Sequence, residues 1–157
     1  MTWRSVSPLH RFLACLPYLL PLIEVLRFGT VLFRQFPSLQ LVFLPIVPIL
    51  NFYNLVPFAG LIIFFALYLL VVRNENIPHF IRFNAMQAIL LDIVLVLCSL
   101  VLSLFTPIVQ GGLILDTLYN VIFLGTIAAI VYSVIQSALG RYAEIPTLSN
   151  AVYMQVR

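Results

Sequence analysis

Long apolar runs alternate with short polar ones along this chain. No charged residue occurs between Arg34 and Arg73, and only Asp92 and Asp116 carry charge between Arg82 and Arg141. An α-helix needs about 20 predominantly apolar residues to cross the hydrocarbon core of a bilayer. The pattern therefore predicts membrane-spanning helices rather than the buried helices of a water-soluble core.

The runs predict an all-α, polytopic helical bundle that takes in the whole chain, 1–157, as a single transmembrane domain. Its four spans are placed at 13–33, 55–72, 78–105 and 118–139. Two prolines interrupt the first span, so we expect that helix to be tilted and irregular.

The segment 39–50 is ambiguous because it is apolar but short. It holds about a dozen residues, among them Pro45 and Pro48, and polar Asn51 follows it. A run of that length is typical of a re-entrant or interfacial segment. If it crosses fully, the chain has five spans, and the N-terminus lies opposite the loop 73–84.

Turn and cap residues predict where the helices begin and end. Pro57 is placed in the first turns of the second span. Asn76 is the predicted N-cap of the third span, and Pro78 is tolerable in its first turn. The stretch from Thr106 to Gly112 is predicted to form the next turn. The polar tail 141–157 is expected outside the membrane, with a short helix after Ser149.

Composition excludes a water-soluble domain. Hydrophobic residues make up 63% of the chain and charged residues 8%, whereas about a quarter of the residues of an ordinary soluble domain are charged. The net charge is +3, but the arginines stand singly at the ends of apolar runs. This distribution is typical of membrane topology signals and not of a nucleic-acid surface, so no nucleic-acid partner is predicted.

The arginines also predict the orientation. With four spans, one side of the membrane holds only Arg27 and Arg34, and the other holds six arginines: Arg4, Arg11, Arg73, Arg82, Arg141 and Arg157. Both termini should therefore face the cytoplasm, or the stroma of a plastid. Arg27 is also spaced to pair with Glu24 on one helix face.

A polar stripe follows one face of the third span. An ionised aspartate near the middle of a spanning helix costs about 2.5–3.5 kcal/mol, so Asp92 should face protein or water. It could line a conduit or a proton-sensitive site, or it could hold helices together through a hydrogen bond. The stripe comprises Asn84, Ala88, Asp92, Ser99 and Ser103.

The fourth span and the loop 73–84 supply the other candidate residues. Small and polar residues on the fourth span allow close packing against the third: Gly125, Ala129, Ser133 and Gln136. In the loop, Arg73, His79 and Arg82 are predicted to contact soluble or peripheral partners. The alternative is that these side chains only anchor helix ends at lipid headgroups.

No pattern in the sequence indicates catalysis. There is no glycine-rich phosphate loop, nucleophile elbow or zinc-binding helix motif. His10 and His79 are far apart in the sequence, and the cysteines, Cys15 and Cys98, stand inside apolar runs, where a thiol behaves as a small hydrophobe. We therefore predict no enzyme activity, no catalytic residue, no metal site and no cofactor.

Four stretches together resemble a known family. They are 79–92 (HFIRFNAMQAILLD), 57–60 (PFAG), 16–21 (LPYLLP) and 141–146 (RYAEIP). They resemble the twenty-kilodalton subunit family of the TIC translocon, in the form found in cyanobacteria and on plastid genomes. The few residues before the first apolar run, too few for an organelle transit peptide, fit that form.

The resemblance implies a non-enzymatic, four-helix subunit with both termini on the stromal side. In plastids the family takes part in importing precursor proteins across the inner envelope, as a core or channel-forming subunit, and it brings no agreed catalytic residues. The partners implied are the lipid bilayer, other membrane subunits or further copies of this chain, and a translocating polypeptide. The alternatives are a small-solute or ion transporter or channel that uses Asp92, and a membrane assembly scaffold.

Overall fold

The computed structural model describes residues 5–110 and 112–157. Arg4, included in the arginine distribution, and Gly111, in a predicted turn, lie outside the described residues. Every regular element within them is a helix, in the order α1 Pro8–Gln35, α2 Pro37–Leu55, α3 Ala59–Val72, α4 His79–Val109, α5 Leu113–Ala138 and α6 Leu148–Gln155. Four of these, α1, α2, α4 and α5, are long and apolar enough to cross a membrane. The predicted all-α membrane fold is confirmed.

Helix α1 starts earlier than the predicted residue 13. Ser7 caps it, because its hydroxyl accepts a hydrogen bond from the His10 amide at 3.3 Å and Pro8 occupies the first helical turn. The expected irregularity is present as tighter 3₁₀ turns at Leu16–Tyr18 and Leu26–Gly29. Pro17 lies in the first of them, where it supplies no amide to the helix.

Helix α2 contains the segment 39–50, extends beyond it at both ends and packs loosely. Its first half, Pro37–Ile46, is 3₁₀ and its second half is α-helical, and no residue of either half is fully buried. Its main apolar contact is Phe43, whose ring lies 5.5 Å from that of Phe33 and 6.1 Å from that of Phe123.

The second span predicted at 55–72 is not one continuous helix. The chain leaves the helical conformation at Val56, which is extended, and Phe58 has a left-handed φ of 58°. Val56 is extended because the ring of Pro57 disfavours a helical residue before it. Helix α3 therefore begins only at Ala59, and the expectation that Pro57 sits inside its first turn is wrong.

The contacts of α2 and α3 place these helices end to end. Near its start α2 lies against Phe33, close to the end of α1, and further along its Tyr53 reaches Glu24, midway along α1. Gly60, at the start of α3, lies beside the same Glu24. Helix α3 then ends at Val72, whose carbonyl accepts a hydrogen bond from an arginine early in α4. Together the two helices follow α1 back towards its start, with the break at Val56–Phe58 between them.

Helix α4 begins and ends later than predicted. Its N-cap is Pro78, not Asn76, whose amide instead donates to the Asn74 side chain at 3.1 Å in the preceding turn. The helix continues through Pro107 and stops at Gln110, which has a left-handed φ of 48°. A proline this close to the C-terminus removes one hydrogen bond without stopping the last turn.

The C-terminal tail folds back onto the bundle. The predicted short helix is present as α6, and it packs where α3 meets α4. Val152 and Val156 are buried in the same apolar cluster as Val72 and Phe83. The tail is therefore part of the core at this end of the molecule, which the sequence did not indicate.

Candidate functional site

The described residues contain two groups of polar side chains between the helices, which we name by their position. The end network lies near the start of α4 and joins three helices; it comprises Tyr18, Asn84, Gln87, Ser133 and Ser137. The break cluster lies where α2 gives way to α3; it comprises Glu24, Arg27, Tyr53 and Asp92.

The end network is uncharged and densely hydrogen-bonded. The Asn84 carbonyl oxygen accepts from the hydroxyls of Tyr18 and Ser137, both at 2.8 Å. The Gln87 amide donates to Tyr18 at 3.0 Å and to the backbone carbonyl of Ala143 at 2.8 Å. These bonds tie α1, α4, α5 and the tail together, which confirms direct packing of α4 on α5. The carbonyl oxygen of Gln87 has no partner among the described residues, but neutral, hydrogen-bonded groups of this kind are typical of helix–helix packing in membranes.

The break cluster is charged. The Glu24 carboxylate pairs with the Arg27 guanidinium at 2.5 Å, as the sequence spacing predicts, and accepts a hydrogen bond from the Tyr53 hydroxyl. Asp92 lies on the part of α4 that packs against this part of α1, since Val25 and Leu95 belong to one apolar cluster. The cluster thus joins α1, α2 and α4 beside the helix break.

Asp92 is the unsatisfied member of the break cluster. Its side chain is only 6% exposed, yet one carboxyl oxygen has no hydrogen-bond partner among residues 5–110 and 112–157. A buried carboxyl without a donor is costly and so suggests a functional role.

A glycine makes room for the cluster. A Cβ at Gly60 would collide with the Tyr53 hydroxyl and would lie 3.4 Å from a Glu24 carboxyl oxygen. The start of α3 can therefore approach α1 and α2 only because this residue has no side chain.

Two clefts meet at the break cluster. A polar cleft of about 310 Å³ is lined by Glu24, Arg27, Tyr53 and Asn54. An apolar cleft of about 900 Å³ lies between the first half of α1 on one side and the end of α2 and α3 on the other, and it also includes the loop residues 76–78 and Ile81 of α4. Tyr53 lines both clefts, so the cluster separates a polar space from an apolar one.

The residues of the predicted stripe on α4 do not lie in a single site. Asn84 belongs to the end network and Asp92 to the break cluster, while Ala88 is fully buried between them against α1 and α5. Ser99 is half-buried. Ser103 is exposed, with its hydroxyl bonded to the Leu100 carbonyl at 2.7 Å, so it packs against no other helix here.

The candidate residues on α5 also differ from one another in burial and contacts. Ser133 is buried and accepts a hydrogen bond from Gln87 at 3.3 Å, and Ala129 packs beside the same end of the bundle. Gln136 is half-buried, and its carbonyl oxygen has no partner in the described part of the chain. Gly125 faces outward, and a Cβ there would meet nothing within 4 Å, so it makes no close helix contact among the described residues.

Two of the three loop candidates are engaged by the tail. Arg82 is buried and donates to the carbonyls of Val72 at 2.9 Å and Arg157 at 3.1 Å. His79 lies 3.0 Å from the Tyr142 hydroxyl. Arg73 is exposed. The tail covers part of this loop, so a soluble partner that approaches the loop would also meet the tail.

The side-chain pKa is raised for two tyrosines of the tail. Burial raises the pKa of Tyr142. Burial, the hydrogen bond to Glu144 and the charge of that carboxylate raise the pKa of Tyr153 to about 12. Both rings pack on Phe83 at 5.0 Å.

Sequence reasoning missed Tyr53 and Gly60 as site residues. The Glu24–Arg27 pair inside an apolar run was the available signal, because a pair placed there usually has further partners. Nothing local indicated that Tyr53 would reach Glu24.

Comparison with known proteins matches nearly the whole chain to one protein family. Residues 6–152 match a family model described as chloroplast import apparatus Tic20-like. A Tic20 family protein of Synechocystis is 53% identical over 94% of this chain and 92% of its own length. Protein TIC 20-II, chloroplastic, of Arabidopsis thaliana is 38% identical over 94% and 72%, respectively. The Tic20 family protein Ycf60 of Porphyra purpurea is 34% identical over 93% and 75%.

Proposed function

The chain belongs to the Tic20 family, and from this membership we propose that it is an integral membrane subunit of a protein-import translocon. The observation that carries the proposal is the family match over residues 6–152, which takes in α1 to α5 and part of α6. We place the protein in the plastid inner envelope or the equivalent cyanobacterial membrane. Its proposed role is to guide a polypeptide across the membrane without catalysing a reaction.

The interior of the bundle supports a role shared with other subunits. Apolar side chains and the end network fill the space between α1, α4 and α5. A single chain thus offers no central pore for a polypeptide. A conduit would have to form between this chain and other membrane subunits or further copies of it.

We propose the apolar cleft between α1 and α3 as the surface that meets a translocating polypeptide. The cleft is large, at about 900 Å³, and its walls are almost entirely aliphatic and aromatic. Apolar walls suit a hydrophobic stretch of a precursor. The helix break at Val56–Phe58 adjoins the cleft and would let α3 move separately from α2.

Photo-crosslinking with an arrested precursor tests this surface. A photoreactive residue at Ile62 or Leu67, which line the cleft, should crosslink to the precursor. The matched control is Leu104, which is exposed on α4 outside the cleft and should crosslink to lipid. Equal precursor crosslinking at all three positions, or none at the cleft, would contradict the assignment.

The end-to-end order of α2 and α3 also supports a membrane topology with both termini on the same side. If α2 and α3 together cross once, the chain has four crossings, and the arginine distribution then puts both termini on the stromal or cytoplasmic side. Single cysteines at Ser5 and Met154, both exposed, can be labelled with a membrane-impermeant maleimide after Cys15 and Cys98 are replaced by serine. We expect labelling from the same side; labelling from opposite sides would favour five crossings.

A further inference from the structure

We propose that Asp92 is a reversible proton-binding site, held between α1, α2 and α4 at the helix break. This goes beyond the translocon role and does not depend on it. The ligand is a single proton delivered by water: a hydronium ion gives its proton to the carboxylate and leaves as water.

The surroundings of Asp92 favour a bound proton over a bound cation. One of its oxygens has no donor among the described residues, so hydrogen bonds cannot account for a stable anion there. The nearby Glu24 is a second carboxyl, and two neighbouring carboxylates repel each other unless one of them is protonated.

Glu24 has the partners that Asp92 lacks. Arg27 lies 2.5 Å from its carboxylate, and Tyr53 donates its hydroxyl to it. The ion pair carries no net charge, so a proton on Asp92 leaves the whole cluster neutral. The described titratable groups that face Asp92 are these three, two from α1 and one from α2.

Two clefts lead to the partners of Asp92, although Asp92 itself lines neither of them. The polar cleft of about 310 Å³ reaches Glu24, Arg27 and Asn54, which are side chains that can hold water. The apolar cleft reaches Tyr53. A proton that enters through the polar cleft, or a hydrophobic reagent that enters through the apolar one, must therefore pass Glu24 or Tyr53 to reach Asp92.

Dicyclohexylcarbodiimide tests the site in intact membranes, with mass spectrometry to locate the label. The reagent takes the proton of a carboxylic acid onto one nitrogen while the carboxyl oxygen bonds to its central carbon. The acyl group then moves to nitrogen and leaves a stable N-acylurea. We expect label on Asp92, with loss of labelling as the pH is raised to alkaline values.

Three variants give this experiment its controls. Asp92→Asn should lose the label, and Asp116→Asn should keep it, because Asp116 is a half-exposed carboxyl near Arg34. Arg27→Gln should add a second label at Glu24, which then lacks its cation. The proposal is overturned if wild-type Asp92 stays unlabelled, if its label persists unchanged at alkaline pH, or if Glu24 is labelled in its place. The wild-type map decides this even if a variant fails to fold.

Discussion

The end network and the break cluster are both polar groups between the same helices, α1 and α4, yet they differ in nearly every physical respect. Every member of the end network is buried, whereas in the break cluster Asp92 is buried and Arg27 is exposed. The end network has no formal charge, and Asn84 has partners for both its carbonyl and its amide. The break cluster has three ionisable side chains besides a tyrosine, and Asp92 is incompletely satisfied. The first lies among continuous helices, and the second lies beside a helix break and two clefts.

The difference indicates which group holds the fold and which is available for function. Neutral hydrogen bonds stabilise helix packing without the free-energy cost of removing a charge from water. A charged, half-satisfied cluster weakens packing and is kept where it has a role. We therefore assign the end network to stability and the break cluster to activity.

The largest expected effect comes from the end network. Gln87→Leu removes the donor that satisfies the buried Ala143 carbonyl, and an orphaned buried group costs about 1–3 kcal/mol. We expect a lower thermal midpoint in detergent. The matched control is Gln136→Leu. Neither glutamine has a described partner for its carbonyl oxygen, but the Gln87 amide donates to the Ala143 carbonyl, so Gln136→Leu should leave the midpoint unchanged or raise it. Equal destabilisation by the two changes would mean that the donor bonds of Gln87 do not hold the fold together.

A smaller effect is expected from the glycine at the break. Gly60→Ala places a methyl group against the Tyr53 hydroxyl and should push that ring away from Glu24. A lost hydrogen bond of this kind costs about 1 kcal/mol. Gly125→Ala is the control, since its Cβ meets nothing within 4 Å, and it should stabilise α5 slightly. Distances between spin labels on α1 and α2 should lengthen only for Gly60→Ala; unchanged distances would mean that Tyr53 does not hold α2.

The smallest effect concerns the docked tail, which adjoins the end network through Ala143. The pKa of Tyr153 rises from 10.0 to about 12 on folding, so the docked tail retains a proton that an undocked tyrosine loses. Its stabilising effect is therefore full below pH 10 and is lost as the pH rises toward about 12. Because this side chain is partly exposed, we expect less than about 1 kcal/mol.

Hydrogen exchange of α6 measures the undocking of the tail. Protection factors, which correct for base-catalysed intrinsic exchange, should fall over that alkaline range for the α6 amides of the wild-type protein. They should depend less on pH in Tyr153→Phe, which cannot ionise. Identical pH profiles for the two proteins would show that Tyr153 does not contribute to docking.

The features that depended on local sequence were predicted well. Apolar run lengths gave the all-α membrane fold, the spacing of Glu24 and Arg27 gave their ion pair, and the cost of a bare carboxylate placed Asp92 inside the bundle. Each of these follows from helix geometry or from solvation of a single side chain.

The features that depended on tertiary contacts were not predicted. Pro57 was treated as a first-turn residue, but its effect on Val56 and the left-handed Phe58 ended the helix instead. The tail looked polar enough to stay in water, yet Val152 and Val156 complete a core cluster. Periodicity gives the face on which a residue lies but not which distant segment will cover it.

The most direct test of the two assignments measures folding and function on the same preparations of Asp92→Asn and Asn84→Leu. Thermal midpoint in detergent reports the fold, and crosslinking of an arrested precursor at Ile62 reports the function. We predict that Asn84→Leu lowers the midpoint and loses crosslinking only in proportion to unfolded protein. Asp92→Asn should keep the midpoint and lose the crosslink. If Asp92→Asn instead lowers the midpoint as far as Asn84→Leu, with crosslinking that follows the folded fraction, both groups only hold helices together, and the account is contradicted.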